Sequence, residues 1–308
     1  MLTIFTTAKP FRGHIDVIQR NAIRSWKLLH RDIEVILFGD DEGSAETARE
    51  LGARHEPKVK KNEFGTILVS SMFQRAQELA SHNLLCCANC DIVLLPDFIA
   101  ALEKVTRKHE KFLMVGRRWD MEIKKPLAFE TPGWDRELRN LTLRIGKRRA
   151  ADWIDYFAFT RGTYGEIPDF AVGRTCWDDW LLWSVADSGC AVVDATRTVV
   201  AVHQNHDYGH HALGEAGVWR GVEAQRNRDL AGSWEHLRSI ADATYKLGPL
   251  GLTYNLGRHW EASKRWAGAA RRAVRYRVWN PVWFFMLDLT RPLRTALGLR
   301  GKNVGHEK

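Results

Sequence analysis

The chain has 308 residues, 45% hydrophobic and 27% charged, with a formal net charge of +9. That length suits one large α/β domain with an appendage or two modest domains, and the lack of low-complexity tracts or a solenoid-period repeat excludes disordered and repeat architectures. The positive balance points to anionic partners: phosphates, nucleic acid or an acidic membrane surface.

The start, MLTIFTTAKPFRG, reaches Lys9 and Arg12 after only a few apolar residues, so no signal-peptide core is expected and a cytoplasmic location is. The late run from Val282 to Leu287 falls far below the ~20 residues that span a bilayer. Five cysteines, three of them in CCANC, form no disulfide framework and no zinc spacing, and are read as buried thiols.

In chain order, LTIFTT reads as a first strand. His14 to Leu29 reads as a helix, with Ile15, Ile18, Ala22, Ile23 and Trp26 at three- and four-residue spacing. IEVILFG is a second strand, followed by Asp40-Asp41-Glu42-Gly43 and a short helix from Ser44. A helix over Thr66 to Ala80 leads into a strand LLCCA, then a helix from Pro96 to Thr106 and a strand from Phe112 to Gly116. Arg117 to Gly133 reads as a long polar loop. A strand IDYFAFTRG, a loop from Gly162 to Trp177, a helix from Asp178 to Asp187 and a strand pair around AVVDA and TVVAVHQNHD complete the body. This alternation predicts an α/β fold with a mostly parallel sheet flanked by helices. The expected division is a catalytic-type domain over 1–240 and a basic helical extension over 241–308. Between Arg258 and Arg300 basic residues far outnumber acidic ones, and a helix over Trp260 to Val278 would be amphipathic. Such a segment suits either an anionic membrane surface or packing on the domain.

The apolar strand around LLCCA is broken by Asn89-Cys90-Asp91. In an open α/β sheet ligands bind beyond the carboxyl ends of the strands, and a carboxylate there can hold a divalent ion that grips a diphosphate. An Asp opening the turn before Pro96 fits the pattern as well. The series from Leu2 to about Tyr208 resembles the glycosyltransferases of the GT-A fold, a Rossmann-like architecture, and Asn89-Cys90-Asp91 is similar to an Asn-x-Asp variant of their Asp-x-Asp motif. GHIDVIQRNAIRSW, KNEFGT, GRRWD, DYFAFTRG, GRTCWDDWLLW and VHQNHDYGH resemble uncharacterised nucleotide-diphospho-sugar transferase-like proteins of that fold.

The resemblance implies Mn²⁺ or Mg²⁺, with Asp91 as the strong ligand and a late histidine, His203 or His206, completing the site. It implies a nucleotide-sugar donor lined by Thr6, Thr7, Asp40, Asn62, Gly65 and Asn89. Arg117 and Arg118 would face its diphosphate, and Asp120 a sugar hydroxyl. Asp178, with Asp179 second, would be the base of an inverting transfer, and Trp177 and Trp180 would stack on sugar rings; a helix cap with core tryptophans accounts for the same residues. The expected activity is sugar transfer to a glycan or lipid-linked acceptor, with peripheral membrane association. Two other readings stand beside it: a non-catalytic glycan- or membrane-binding protein, and a sugar-phosphate nucleotidyltransferase, although FTTAKPFRG lacks the Gly-rich phosphate loop of the latter. No nucleic-acid recognition motif accompanies the basic tail.

Overall fold

The computed structural model describes residues 1–206, 219–260 and 263. The compact unit runs from Met1 to Arg258. It therefore extends past residue 240, because Tyr245–Gly248 and Gly251–Tyr254 form a hairpin on the sheet. Most of the amphipathic segment expected over Trp260 to Val278, and all of 264–308, lie outside the described residues.

The strands are β1 (Leu2–Thr7), β2 (Ile33–Phe38), β3 (Arg54–Glu56), β4 (Leu84–Ala88), β5 (Ile92–Val93), β6 (Phe112–Val115), β7 (Arg118–Met121), β8 (Lys147–Arg148), β9 (Tyr156–Thr160), β10 (Ala191–Asp194), β11 (Ala201–Gln204), β12 (Tyr245–Gly248) and β13 (Gly251–Tyr254). Nine form one sheet in the order β13-β12-β10-β6-β9-β4-β1-β2-β3, and four form a second, β5-β11-β7-β8. The large sheet is mostly parallel, as expected. The exceptions are β9, running antiparallel between β4 and β6, and β13, antiparallel to β12 at the sheet edge. The helices are α1 (Gly13–Lys27), α2 (Ser44–Glu50), α3 (Val69–Leu79), α4 (Pro96–Thr106), α5 (Trp134–Ile145) and α6 (Trp177–Asp187), with a further helix over Val222–Ala231.

Alternating side chains of the buried strands feed two cores, one on each face of the large sheet. Cys87, Phe157 and Phe159 pack with α3 and α6, while Cys86, Tyr156 and Ala158 pack with α1 and α4. All five cysteines are free thiols, and four are buried. A third, smaller core joins β5, β7 and β11 to Leu138 of α5.

Two elements differ from the sequence reading. The stretch from Arg117 is not all loop, since β7 pairs in parallel with β11. The expected strand pair β10 and β11 is divided between the two sheets. The polar face of RWDM hid a strand whose polar groups are met inside the protein, as the site shows below. Among the described residues, no helix is long and apolar enough to cross a membrane.

Helix α1 fixes the turn that follows β4. Trp26 is fully buried and its indole Nε1 donates to the Ile92 carbonyl at 2.9 Å. Trp26→Phe removes that donor and leaves a void, so we expect unfolding free energy to fall by about 2–4 kcal/mol. A denaturation midpoint equal to the parent's would show that the turn is held by other contacts.

Candidate active site

A cavity of about 540 Å³ opens along one edge of the large sheet, a size suited to a small-molecule ligand. Thr7 ends β1 and Ala8 and Lys9 follow it, Asp41 follows β2, and Asn89 and Asp91 follow β4. These are carboxyl ends of parallel strands. Because β9 is reversed, the residues that precede it, Asp152 to Asp155, arrive at the same edge.

Asp91, His203 and His206 offer one ligand atom each, all within 4.8 Å of one another. His206 Nε2 lies 3.0 Å and His203 Nε2 3.7 Å from Asp91 Oδ2. The other oxygen, Asp91 Oδ1, is buried with no hydrogen-bond partner among the described residues. Burial alone would raise the Asp91 pKa, yet His203, His206 and Lys9 hold it well below the usual carboxylate range. His203 shows the converse balance. Burial disfavours its charged form, but Asp91 and Asp120 raise its pKa. A carboxylate and two imidazoles at these separations fit a divalent transition-metal ion, whose neighbouring ligands at about 2.1 Å stand about 3 Å apart.

The backbone of this cluster is fixed from beneath. Gln204, fully buried on β11, approaches the Asp91 carbonyl with both its amide N, at 3.2 Å, and its side-chain Nε2, at 3.1 Å. Asn21 of α1 donates to Gln204 Oε1 at 2.9 Å. On the other side, Gln19 brackets Lys9, accepting from its N–H and donating to its carbonyl.

A second layer carries the charge. Arg118 is buried, donating to Asp120 Oδ1 at 3.0 Å and to both oxygens of Asp155 at 3.1 Å. Arg149 reaches Asp120 Oδ2 at 2.5 Å. Both guanidiniums lie over the Trp153 ring, 4.5 and 4.6 Å from its centre, and the ring of Trp219, half-exposed, stands edge-on to Trp153. The Asp120 carboxylate stands 3.4 Å from His203 Nδ1, beneath that imidazole.

The far wall is the start of α6. Cys176 is its N-cap with φ of 78°, the sole non-glycine residue in the left-handed region among those described. That costly conformation turns Asp178 and Asp179 into the first helical turn and onto the cavity wall. Burial raises both their pKa values. Asp155 and Asp152 add to the effect at Asp178, and Asp178 adds to it at Asp179. Glu223 ties the surrounding loops, accepting from Asn62 at 2.7 Å and from Arg174 Nη2 at 2.5 Å.

Of the residues singled out in the sequence, Thr7, Gly65, Asn89, Asp91, Arg118, Trp177, Asp178, Asp179, His203 and His206 share this cavity. Six others lie off its wall. Thr6 is buried, its hydroxyl turned to the Thr7 carbonyl. Asp40 is exposed and paired with Lys61, and Asp41 takes its expected place. Asn62 accepts from the Phe64 and Thr66 amides, shaping the loop that presents Gly65. Asp120 lies beneath His203. Arg117 alternates with Arg118 and is bound at Nε to the Arg149 carbonyl, so the two arginines do not form one clamp. Trp180 packs on Phe170 in the core, and Trp177, nearly buried, packs on Phe157, leaving Trp153 and Trp219 as the more open indoles of the cavity. Lys9, Gln19, Asp152, Trp153 and Arg174 were not signalled by any motif; only the strand-end rule could have drawn attention to Lys9. His210 and His211 lie outside the described residues.

The acid pair makes a test of its own. Their folded pKa values lie above the unfolded carboxylate value of about 3.9, so between the two the folded state holds more protons and stability falls as pH rises. We expect Asp179→Asn to raise the melting temperature by about 2–4 °C at pH 8, with the gain vanishing toward pH 4. Parallel stability profiles for parent and variant would show that the two carboxyls do not repel.

No protein-family model and no curated protein matches the sequence. Among solved structures, glucosyl-3-phosphoglycerate synthase from Mycobacterium tuberculosis matches at 14% identity and a TM-score of 0.45, over 75% of this chain and 78% of that one. The same enzyme with Mn²⁺, uridine diphosphate and glucosyl-3-phosphoglycerate matches at 13% identity, with a TM-score of 0.42 over 75% and 78% of the two chains. A mannosyltransferase from Pyrobaculum calidifontis, in complex with GDP-mannose and Mn²⁺, matches at 14% identity and a TM-score of 0.42, over 69% of this chain and 59% of that one. Likenesses at this level fix neither a family nor an activity for the chain.

Proposed function

We propose that the protein is a glycosyltransferase that moves a sugar from a nucleotide-diphosphate-sugar to an acceptor hydroxyl, assisted by a divalent ion. One observation carries this reading. Asp91, His203 and His206 converge, with a buried Asp91 oxygen still unpartnered, in a strand-end cavity whose opposite wall presents two carboxyls. The sequence resemblance of the same segments agrees with it. Solved structures similar to the chain hold Mn²⁺ with uridine diphosphate or GDP-mannose.

On this reading Asp91, His203 and His206 hold the ion, and the two imidazoles favour Mn²⁺ over Mg²⁺. The ion, when bound, supplies positive charge for the departing diphosphate. Lys9 adds cationic character to the same region. Asp178 takes the proton of the acceptor hydroxyl as that oxygen bonds the anomeric carbon and the sugar–phosphate bond breaks, its electron pair leaving on the diphosphate. This is an inverting displacement. A base must be ionised to act, and a carboxylate with a raised pKa is the stronger base near neutral pH. The acceptor we infer is a glycan or a lipid-linked sugar. The basic, aromatic-rich residues after Arg258 would bring the enzyme to an anionic membrane surface on the cytoplasmic side.

Two measurements test this. Calorimetry should show that Mn²⁺ strengthens nucleoside-diphosphate binding and that Asp91→Ala abolishes the enhancement without loss of fold; equal affinities with and without metal in the parent would remove the metal from the proposal. Asp178→Asn should keep donor affinity and lower transfer by a factor on the order of 10²–10⁴. A rate within a few-fold of the parent would instead point to Asp179 or Asp155, or to a retaining reaction.

A further inference from the structure

Residue 89 is an asparagine where an acidic side chain would add a second carboxylate beside Asp91, and the fold supplies a reason. β4 and β9 run antiparallel with Ala88 opposite Tyr156, so continuing the register by one residue sets Asn89 opposite Asp155. The two are joined twice. The Asn89 amide N–H donates to the Asp155 carbonyl at 2.9 Å, and its side-chain Nδ2 donates to Asp155 Oδ1 at 2.7 Å. Asp155 is itself buried and shares its one guanidinium, Arg118, with Asp120.

We propose that Asp155 is a positioning residue that requires an amide at 89: it takes the Asn89 NH₂ group and thereby turns the Asn89 carbonyl oxygen toward the cavity as a neutral ligand atom. A carboxylate at 89 would face Asp155 directly across the ladder, where like charges destabilise. Arg118, already divided between two carboxylates, has no further charge to neutralise a third. The negative charge that position 89 lacks is therefore present in the site, displaced one strand over onto Asp155 and engaged by Arg118. The consequence for the ligand is specific. Beside Asp91 the cavity offers an oxygen without a second anionic charge, so binding of a cation there draws more heavily on the charge of the diphosphate that accompanies it.

The ligand half of this inference rests on the proposed nucleotide-sugar reading; the pairing half does not. The pairing is tested by thermal melts of Asn89→Asp, Asp155→Asn and the exchanged double variant. Asn89→Asp should lower the melting temperature by about 4–8 °C, and the exchange, which restores one amide opposite one carboxylate, should recover at least half of that loss. An Asn89→Asp protein as stable as the parent, or an exchange no better than the worse single variant, overturns the pairing. Should Asn89→Asp fail to fold, recovery of a folded protein by the exchange supports the pairing and its failure overturns it. The ligand half is tested with Asn89→Ala, which keeps Asp155 on Arg118. Mn²⁺-dependent nucleoside-diphosphate affinity should fall by about 3–10-fold, measured at a temperature where the variant is folded, and an unaltered affinity overturns it. If the parent binds no nucleoside diphosphate, the nucleotide-sugar reading and the ligand half fail together, and the melts still decide the pairing.

Discussion

The carbonyl of Asp91 is the point on which the site depends. It accepts from both the backbone and the side chain of Gln204, and Gln204 is held in turn by Asn21 and by the Ile18 carbonyl. A buried amide network of this kind is costly unless complete, and here its members are satisfied by one another. It locks three elements, α1, the turn after β4 and the end of β11, into one register. His203 lies next to Gln204 and His206 two residues beyond, so the same network that fixes the Asp91 main chain fixes where the imidazoles stand. The outer carboxylates and cations then need only short-range contacts to fall into place around it.

The acid pair on α6 illustrates a different economy. Its carboxyls are placed where burial and mutual repulsion raise their pKa values, at the end of a helix whose cap adopts a backbone conformation that L-residues avoid. Both features act against stability, and neither serves the packing of the core. Local cost of this sort is expected where a side chain is held for chemistry. The bulk of α6 offsets it, with Leu181, Leu182 and Val185 almost fully buried.

Much of the fold was legible because its signals are local. The three- and four-residue spacing in α1 and the unbroken apolar runs of β4 and β9 each specify an element without knowledge of the rest. The strand-end rule drew attention to Asn89 and Asp91, and the family resemblance added Asp178, Asp179, His203 and His206. Arg117 and Arg118 were misjudged as a pair because adjacency in sequence means opposite faces once a strand forms, and RWDM does not look like a strand. Its polar side chains are tolerated there because Arg118 and Asp120 neutralise each other and Asp155 and Arg149 complete the set. That compensation is a property of three segments together and has no signature in any one of them. Trp180 stays open between core and ligand in the sequence for a related reason, since a helical face toward a core and one toward a ligand carry the same periodicity.

The reversed strand β9 has a consequence for how the protein is made. It occupies the middle of the large sheet yet is synthesised after β4 and β6, the neighbours on either side of it. The Asp91 and His206 side chains are 115 residues apart in the chain. At elongation rates of about 5–20 residues per second, roughly 6–23 s separate their emergence. No fragment ending before residue 206 can contain the three-ligand cluster, however well its early strands have folded. The cluster of Asp91, His203 and His206 is thus completed only after residue 206 has emerged, and its assembly reports that the second sheet has closed onto the first half of the chain.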